Sequence, residues 1–320
     1  MSINLITGIT GFVGSWLAQY IVENYPDNII YGIKRWRSPI ENIEHILNNV
    51  NLIDADLKDL PSLLSVLDAV QPDKIFHLAA QSYVPFSYKA PIETLMDNVI
   101  GTANLLETVR ILKQDPLIHI CGSSEEYGQV SKQFVPIKED CPLNPVSPYG
   151  VSKVTEDMLG LQYYTAWGLK TVRTRMFTHT GPRRGEIFAE SSFAKQIVMI
   201  ERGIQDKIYV GNLDSIRTFA DVRDAVRAYW MLNKSMAGEV YNIGGNITMT
   251  IRDMLNKLID LSGMRLTSNQ IIIDESRLRP ADVTLQIPCC NKFKVATNWE
   301  PEIPFEKTLV DLLSFWRGKL

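Results

Sequence analysis

The segment that most constrains this chain is its first two dozen residues. An apolar run, Ile3–Thr7, leads into Thr7-Gly8-Ile9-Thr10-Gly11-Phe12-Val13-Gly14, and an amphipathic stretch follows to about Asn24 with Trp16, Leu17, Tyr20 and Ile21 on one side. A strand, three glycines and a helix in that order give a glycine pattern physical meaning. Gly8 permits a tight turn, Gly11 lets a pyrophosphate approach the backbone at the start of a helix, and Gly14 lets that helix pack close to the strand. Phe12 and Val13 would sit at the same helix start. The spacing is G-x-x-G-x-x-G and not G-x-G-x-x-G, so a glycine-rich turn without a ligand is the alternative reading.

The same alternation continues along the chain. A second strand is expected at Ile29–Ile33, a third at Asn51–Ala55, a fourth at Asp73–Leu78 and a fifth at Leu117–Cys121. A long helix is expected from Pro91 to Leu112. Strands alternating with helices at this pitch predict a doubly wound parallel α/β sheet of the Rossmann kind, with ligands beyond the carboxyl ends of the strands. The second strand ends in Lys34-Arg35-Trp36-Arg37-Ser38, where an acid would bind the adenosine ribose of NAD. Cations there suit a 2′-phosphate, so Arg35 and Arg37 favour NADP(H) over NAD(H). Asp56-Leu57 follows the third strand where a carboxylate can meet the adenine amine. The small residues of Leu78-Ala79-Ala80 would let the chain pass close to the cofactor.

Composition sets the class. The chain has 320 residues, 45% of them hydrophobic, and a formal net charge of -3 with both signs spread along it. That argues for a globular protein and against broad nucleic-acid or anionic-membrane binding. No apolar run reaches membrane-spanning length, and the Met1-Ser2-Ile3-Asn4 start lacks a secretory signal. Cys121, Cys141, Cys289 and Cys290 form neither a zinc spacing nor a disulfide framework. A soluble, cytoplasmic protein is expected.

The stretch with chemical promise is Ser147-Pro148-Tyr149-Gly150-Val151-Ser152-Lys153. Ser147 can cap a helix and Pro148 fits its first turn. Residues four apart share a helix face, so Tyr149 and Lys153 point the same way. An ammonium beside a phenol favours the phenolate, which predicts an acidified Tyr149 able to move a proton near neutral pH.

Together with Gly122–Gly128, Phe193–Ile197, Val210–Leu213, Asp221–Asp224 and Leu278–Val283, these motifs make the whole chain resemble the extended short-chain dehydrogenase/reductase family. Within it the chain is most similar to the GDP-4-keto-6-deoxy-mannose reductases and next to the GDP-mannose 4,6-dehydratases. The resemblance implies a triad of Ser123, Tyr149 and Lys153. It places Glu125 where sugar-nucleotide dehydratases keep the glutamate that removes the proton from sugar carbon 5, although similar reductases carry a glutamate there too. It implies substrate contacts at Ser124, Thr178 (usually asparagine in the family), Phe188 and Lys195. Arg183-Arg184 matches a dehydratase stretch that helps bind cofactor across subunits, or else faces solvent. The family's helices corresponding to 91–112 and 148–167 form a four-helix seam, implying a homodimer or a tetramer.

Turn residues cluster after the strand Thr171–Met176, which predicts a nucleotide-binding domain over 1–176 and a smaller α/β substrate domain over 177–320. A return segment near 220–245 would rejoin the main sheet through Val240–Ile243. Arg217 and Arg279, both expected in loops, are candidates to clamp a diphosphate, because guanidinium forks suit phosphate oxygens. His179 is expected to be structural. Three readings compete: an NADPH-dependent reductase of a GDP-linked 4-keto-6-deoxy sugar, a GDP-sugar dehydratase or epimerase, and a non-catalytic nucleotide sensor. A sensor needs the glycine turn but not Ser123, Tyr149 and Lys153 together.

Overall fold

The structure is a computed structural model that describes residues 1–320. Its strands are β1 (Ile3–Thr7), β2 (Ile29–Lys34), β3 (Asn51–Asp54), β4 (Lys74–His77), β5 (Leu117–Ser123), β6 (Lys170–Met176), β7 (His179–Thr180), β8 (Ile208–Val210), β9 (Ile216–Asp221), β10 (Val240–Ile243), β11 (Ile247–Thr250), β12 (Ile271–Ile273) and β13 (Leu285–Gln286). Its α-helices are α1 (Phe12–Asn24), α2 (Leu60–Val70), α3 (Val84–Lys89), α4 (Pro91–Leu95), α5 (Gly101–Ile111), α6 (Pro148–Trp167), α7 (Ala189–Glu201), α8 (Val222–Trp230), α9 (Ile251–Ser262), α10 (Asn291–Thr297) and α11 (Phe305–Lys319). No helix is long and apolar enough to cross a membrane.

Seven strands form one sheet in the order β10-β6-β5-β4-β1-β2-β3. Every neighbouring pair is parallel. This is the expected doubly wound sheet, with β10 closing one edge. Both faces are covered, as a parallel sheet requires. Leu17, Ile21, Phe76, Val226, Tyr229, Phe293 and Trp299 belong to one core, and Leu63, Leu67, Leu105, Val109, Ile118 and Tyr163 to the other. Phe293 and Trp299 lie well beyond residue 245, so the segment around α10 also packs with the large sheet. A third core joins α7, α9 and α11 through Phe193, Leu255 and Leu312. Beside it stand the small sheet β11-β9-β13 and the pair β12-β8.

The helix expected over 91–112 is broken into α4 and α5 by one π-helical turn at Met96–Ile100. That turn carries buried Asn98, whose side chain holds both backbone groups of Gln81 and donates to Ser152 Oγ at 2.8 Å. The irregular turn therefore binds the helix to α6.

The longest helix, α6, is fastened to the sheet by charge. Asp157, 1% exposed, accepts from Arg173 Nη1 at 2.5 Å and from Arg175 Nε at 2.9 Å. Asp157→Ala would strand two buried guanidiniums with incomplete partners. We expect it to lower the unfolding free energy by about 3–5 kcal/mol, read from urea denaturation; a loss below about 1 kcal/mol, the range of an exposed pair, would show that the clamp is not structural.

Candidate active site

The carboxyl ends of the large sheet open onto a crevice of about 1020 Å³. This is at the upper end for small-molecule sites, which run to about 1,000 Å³. Gly8, Gly11, Phe12, Val13 and Gly14 line it, as do Leu78, Ala80, Ser123, Glu125, Tyr149 and Lys153.

The start of α6 brings Tyr149 and Lys153 there. Ser147 Oγ accepts from the Gly150 N–H at 3.0 Å, and Pro148 occupies the first turn, as expected. Lys153 Nζ lies 6.0 Å from the Tyr149 ring centre. Ser123 ends β5 and caps the short turn after it. Its Oγ accepts from the Glu125 N–H at 3.2 Å, while its own N–H donates to Glu126 Oε1 at 2.7 Å. Sheet, turn and helix thus converge on three side chains.

The electrostatics correct one expectation. Tyr149 is not acidified in this structure: burial pushes its phenol up to about 12, against the opposing pull of Lys153 and the Ser123 hydroxyl. The ammonium is also not reserved for the phenol. Lys153 Nζ donates to the Cys121 carbonyl at 3.0 Å and to Glu156 Oε2 at 2.9 Å. Burial works most strongly against the lysine charge, but the acidic groups around it, Glu156 foremost with Tyr149 and Cys121, together outweigh burial and hold the pKa above the usual lysine value.

The glycine turn has the shape of a backbone cradle. Gly8 has φ +71°, and a Cβ there would lie 2.9 Å from Ala79 Cα. A Cβ on Gly14 would lie 2.2 Å from the Gly8 carbonyl oxygen. No side chain caps α1, so its first amides are available to an anion. Ala79 packs beneath the turn. Arg35 and Arg37 are exposed just past β2, with Arg37 over the Trp36 ring, while Lys34 is tied to Asp54. Arg35, Arg37, Asp56 and Leu57 stand on the same sheet edge but outside the crevice lining. Asp56 Oδ1 accepts from the Lys58 N–H at 2.9 Å, and Leu57 packs against α5 at Gly101.

The opposite wall comes from the second half of the chain. Arg217 is not in a loop: it lies on β9, paired with Met249 and Gln286, because the run Ile216–Asp221 is a strand between two partners. Arg279 is in a loop as expected. Its Nη1 lies 3.3 Å from Glu125 Oε1 and 3.6 Å from Asp282 Oδ1, and Arg217 Nη2 lies 3.8 Å from Asp282 Oδ1. Burial lowers the pKa of Arg217, with Glu125 and Asp282 opposing. Thr178 lines the crevice, but its carbonyl accepts from the Ala220 N–H. Ser124 also lines it, but is buried with its hydroxyl donating to Gln286. Lys195 is tied to Glu186. Phe188 meets Tyr83 edge to face, and the Arg184 guanidinium lies 3.6 Å above its ring. His179 is half-buried at the crevice wall, stacked on Phe12, and its pKa is pushed down to about 3 by desolvation, which keeps the ring neutral.

Sequence reasoning missed Asp282, Gln286 and Glu156. Asp282 and Gln286 could not be placed without the fold. Glu156 had a signal, since it follows Tyr149 by seven residues and Lys153 by three on one helix face.

Comparisons with known proteins agree with this geometry. The family model described as GDP-mannose 4,6 dehydratase matches residues 5–312. The chain is 31% identical to the GDP-6-deoxy-D-mannose reductase of Pseudomonas aeruginosa, over 98% of this chain and 97% of that one. It is 30% identical to the GDP-mannose 4,6-dehydratase of Yersinia enterocolitica, over 97% of this chain and 92% of that one. The structure of RMD from Pseudomonas aeruginosa complexed with NADPH superposes with a TM-score of 0.86 at 30% identity and covers 100% of both chains. A dTDP-glucose 4,6-dehydratase from Bacillus anthracis in complex with NAD gives 0.87 at 26% identity, covering 99% of this chain and 97% of that one. This chain belongs to the GDP-mannose 4,6-dehydratase family, among the extended short-chain dehydrogenases/reductases.

Proposed function

We propose that this protein reduces the 4-keto group of a GDP-linked 4-keto-6-deoxy-hexose at the expense of NADPH. The observation that carries the reading is the meeting of Tyr149, Lys153 and Ser123 in one crevice with an uncapped helix start and a glycine cradle. The glycine turn, Leu78, Ala79 and Ala80 would hold the dinucleotide, and the unpaired Arg35 and Arg37 suit a 2′-phosphate. The bound cofactor supplies the hydride. Tyr149 gives its phenolic proton to the oxygen that becomes the sugar hydroxyl, and its raised pKa keeps that proton in place up to alkaline pH. Ser123 polarises the same oxygen. Lys153 steadies the phenol and offers its third N–H to a ribose hydroxyl.

Residues 1–176, with the returning segment near 220–245 and the α10 region, would bind the cofactor. The rest of 177–320 would bind the sugar nucleotide, with Arg217 and Arg279 facing the diphosphate and Phe188 the base. The full-length match to the Pseudomonas aeruginosa reductase supports reduction. One observation favours a second reading, a GDP-mannose 4,6-dehydratase: Glu125 projects into the crevice as that chemistry would need.

Two mixtures separate the readings. With the GDP-linked 4-keto sugar, NADPH should be oxidised one for one; a keto product from GDP-mannose and NADP+ with no net cofactor change would establish the dehydratase instead. Tyr149→Phe should slow either reaction by about 10²–10⁴-fold with cofactor affinity nearly unchanged, whereas Glu125→Gln should cripple only a dehydratase.

Cofactor choice is tested at the end of β2. Changing Arg35 and Arg37 together to Ala should raise the KM for NADPH about tenfold or more, the effect of losing a charged hydrogen bond, and leave the KM for NADH unchanged. Equal effects on both would remove the 2′-phosphate role.

We further propose that copies associate as homodimers through α4, α5 and α6. Ile92 of α4, Met96 of the π-helical turn, Ile111 of α5, and Val151, Met158 and Trp167 of α6 are exposed at 71%, 44%, 44%, 44%, 40% and 49%, an apolar surface that a lone chain would leave wet. Met158→Glu should convert the dimer to a monomer in sedimentation; a wild-type monomer would refute the seam.

A further inference from the structure

We propose that Glu156 is a positioning residue: its carboxylate fixes the place and the charge of the Lys153 ammonium and so sets the alkaline limit of the site's proton transfer. This rests on the reading that Tyr149 moves the proton, but not on which sugar is reduced or dehydrated.

Three observations carry it. Glu156 is 1% exposed, and its Oε2 lies 2.9 Å from Lys153 Nζ, itself 4% exposed. The other carboxylate oxygen, Oε1, is buried with no hydrogen-bond partner. The hydrogen bonds the ammonium makes are to Glu156 and the Cys121 carbonyl, while the Tyr149 ring centre lies 6.0 Å away.

A buried ion pair is poor evidence for a structural role, because a well-packed apolar side chain at the same place is often as stable or more so. A half-satisfied buried carboxylate is poorer still. What Glu156 does uniquely is hold a cation in a site that would otherwise expel the charge. A lysine buried without a counter-charge loses its proton readily. Lys153 without its charge would neither stabilise a developing phenolate nor offer three N–H donors. Two of those donors are engaged in this structure, so the third is directed by the first two.

The other groups near the pair do not duplicate this carboxylate. From α6 itself comes Tyr149, which Arg184 also faces, and from α8 comes buried Tyr229, whose hydroxyl lies 3.4 Å from Cys121 Sγ. From β5 come Cys121 and buried His119, which pairs with Thr174. At the end of β4, His77 is held between Thr7 and Thr102. Burial, reinforced by Lys153, keeps His77 neutral with a pKa near 3. Thr102 of α5 stands beside Glu156. Asp97 of the π-helical turn is engaged by Lys58, and Glu126, after β5, and Asp157 are engaged by Arg175 and Arg173 of β6. Glu156 is therefore the carboxylate that Lys153 meets directly.

The sign follows. Neutralising Glu156 removes a negative charge that holds protons on both Lys153 and Tyr149. Whichever of the two loses its proton first does so at lower pH, and the coupled pair titrates accordingly. Reduction needs both protonated, so its alkaline limb must move down.

The test is competitive labelling of Lys153 with trace acetic anhydride across a pH series, read on the Lys153 peptide by mass spectrometry, with NADPH bound. In the wild-type protein the Lys153 midpoint should lie above those of exposed lysines. In Glu156→Gln it should fall by more than about one pH unit, the usual effect of a neighbouring charge, and Glu156→Asp should stay near wild type. The alkaline limb of kcat should shift with the Gln variant and not with the Asp variant. A wild-type midpoint at or below that of exposed lysines, or an unchanged midpoint in Glu156→Gln, overturns the inference. A labelling shift without turnover of any GDP-linked sugar leaves this inference standing and refutes the proposed substrate.

Discussion

A single guanidinium joins the parts of the site that must not move relative to one another. Arg175 projects from β6, and its Nε lies 2.9 Å from Asp157 Oδ2 and 3.1 Å from Glu126 Oε2. Asp157 belongs to the helix that carries Tyr149 and Lys153. Glu126 belongs to the turn after β5, and its Oε1 receives the Ser123 N–H. The helix and the serine are thus referred to the same cation. Its Nη1 also donates to the Tyr127 hydroxyl at 3.0 Å and to the Glu139 carbonyl at 2.9 Å. A buried charge of this kind is stable only when nearly every donor is used. That requirement makes the arrangement rigid, and rigidity is what aligned proton transfer needs.

On that scaffold, burial and charge compete at Tyr149. Tyr149 is desolvated because α6 presses its first turn against β5 and the serine turn. Desolvation disfavours the phenolate more than Lys153 and the Ser123 hydroxyl favour it, and the Glu156 charge adds to the desolvation. The resulting phenol is a poor base but a competent proton donor over a wide pH range. The charge balance of α6 therefore bears on the pH range over which Tyr149 holds the proton it can donate.

Most of the framework was legible in the sequence because it rests on local rules. Apolar runs gave the strands, the turn at Gly8–Gly14 announced the helix that follows, and Ser147-Pro148 marked the start of α6. Val240–Ile243 was expected to return to the large sheet, and it pairs with β6. The misreadings share one cause, which is tertiary context. Arg217 reads as a loop residue in a polar stretch, yet partners on both sides make that stretch a strand. An acidified phenol follows from Tyr149 and Lys153 alone on one helix, whereas the balance in the fold includes the desolvating sheet beneath them. Glu156 joins the face of Tyr149 and Lys153 only when the helical periodicity is carried over two turns. Asp282 and Gln286 lie more than a hundred residues from Ser124 and Glu125, and only the closed fold brings them together.

The second wall of the crevice shows what a ligand would have to change. Arg279 is shared between Glu125 and Asp282, and Asp282 is shared between Arg279 and Arg217. Asp282 Oδ2 further accepts from Asn212 and Ser215 at 2.8 and 3.1 Å, so this carboxylate is anchored. Glu125 has no comparable anchor; its one ion pair is the 3.3 Å contact with Arg279. Under the proposed function, a diphosphate drawn to Arg279 would compete with Glu125 and not with Asp282. The anchored acid keeps the two arginines together, and the unanchored one is freed as the phosphates arrive. The same wall would therefore link recognition of the nucleotide to the carboxylate nearest the sugar.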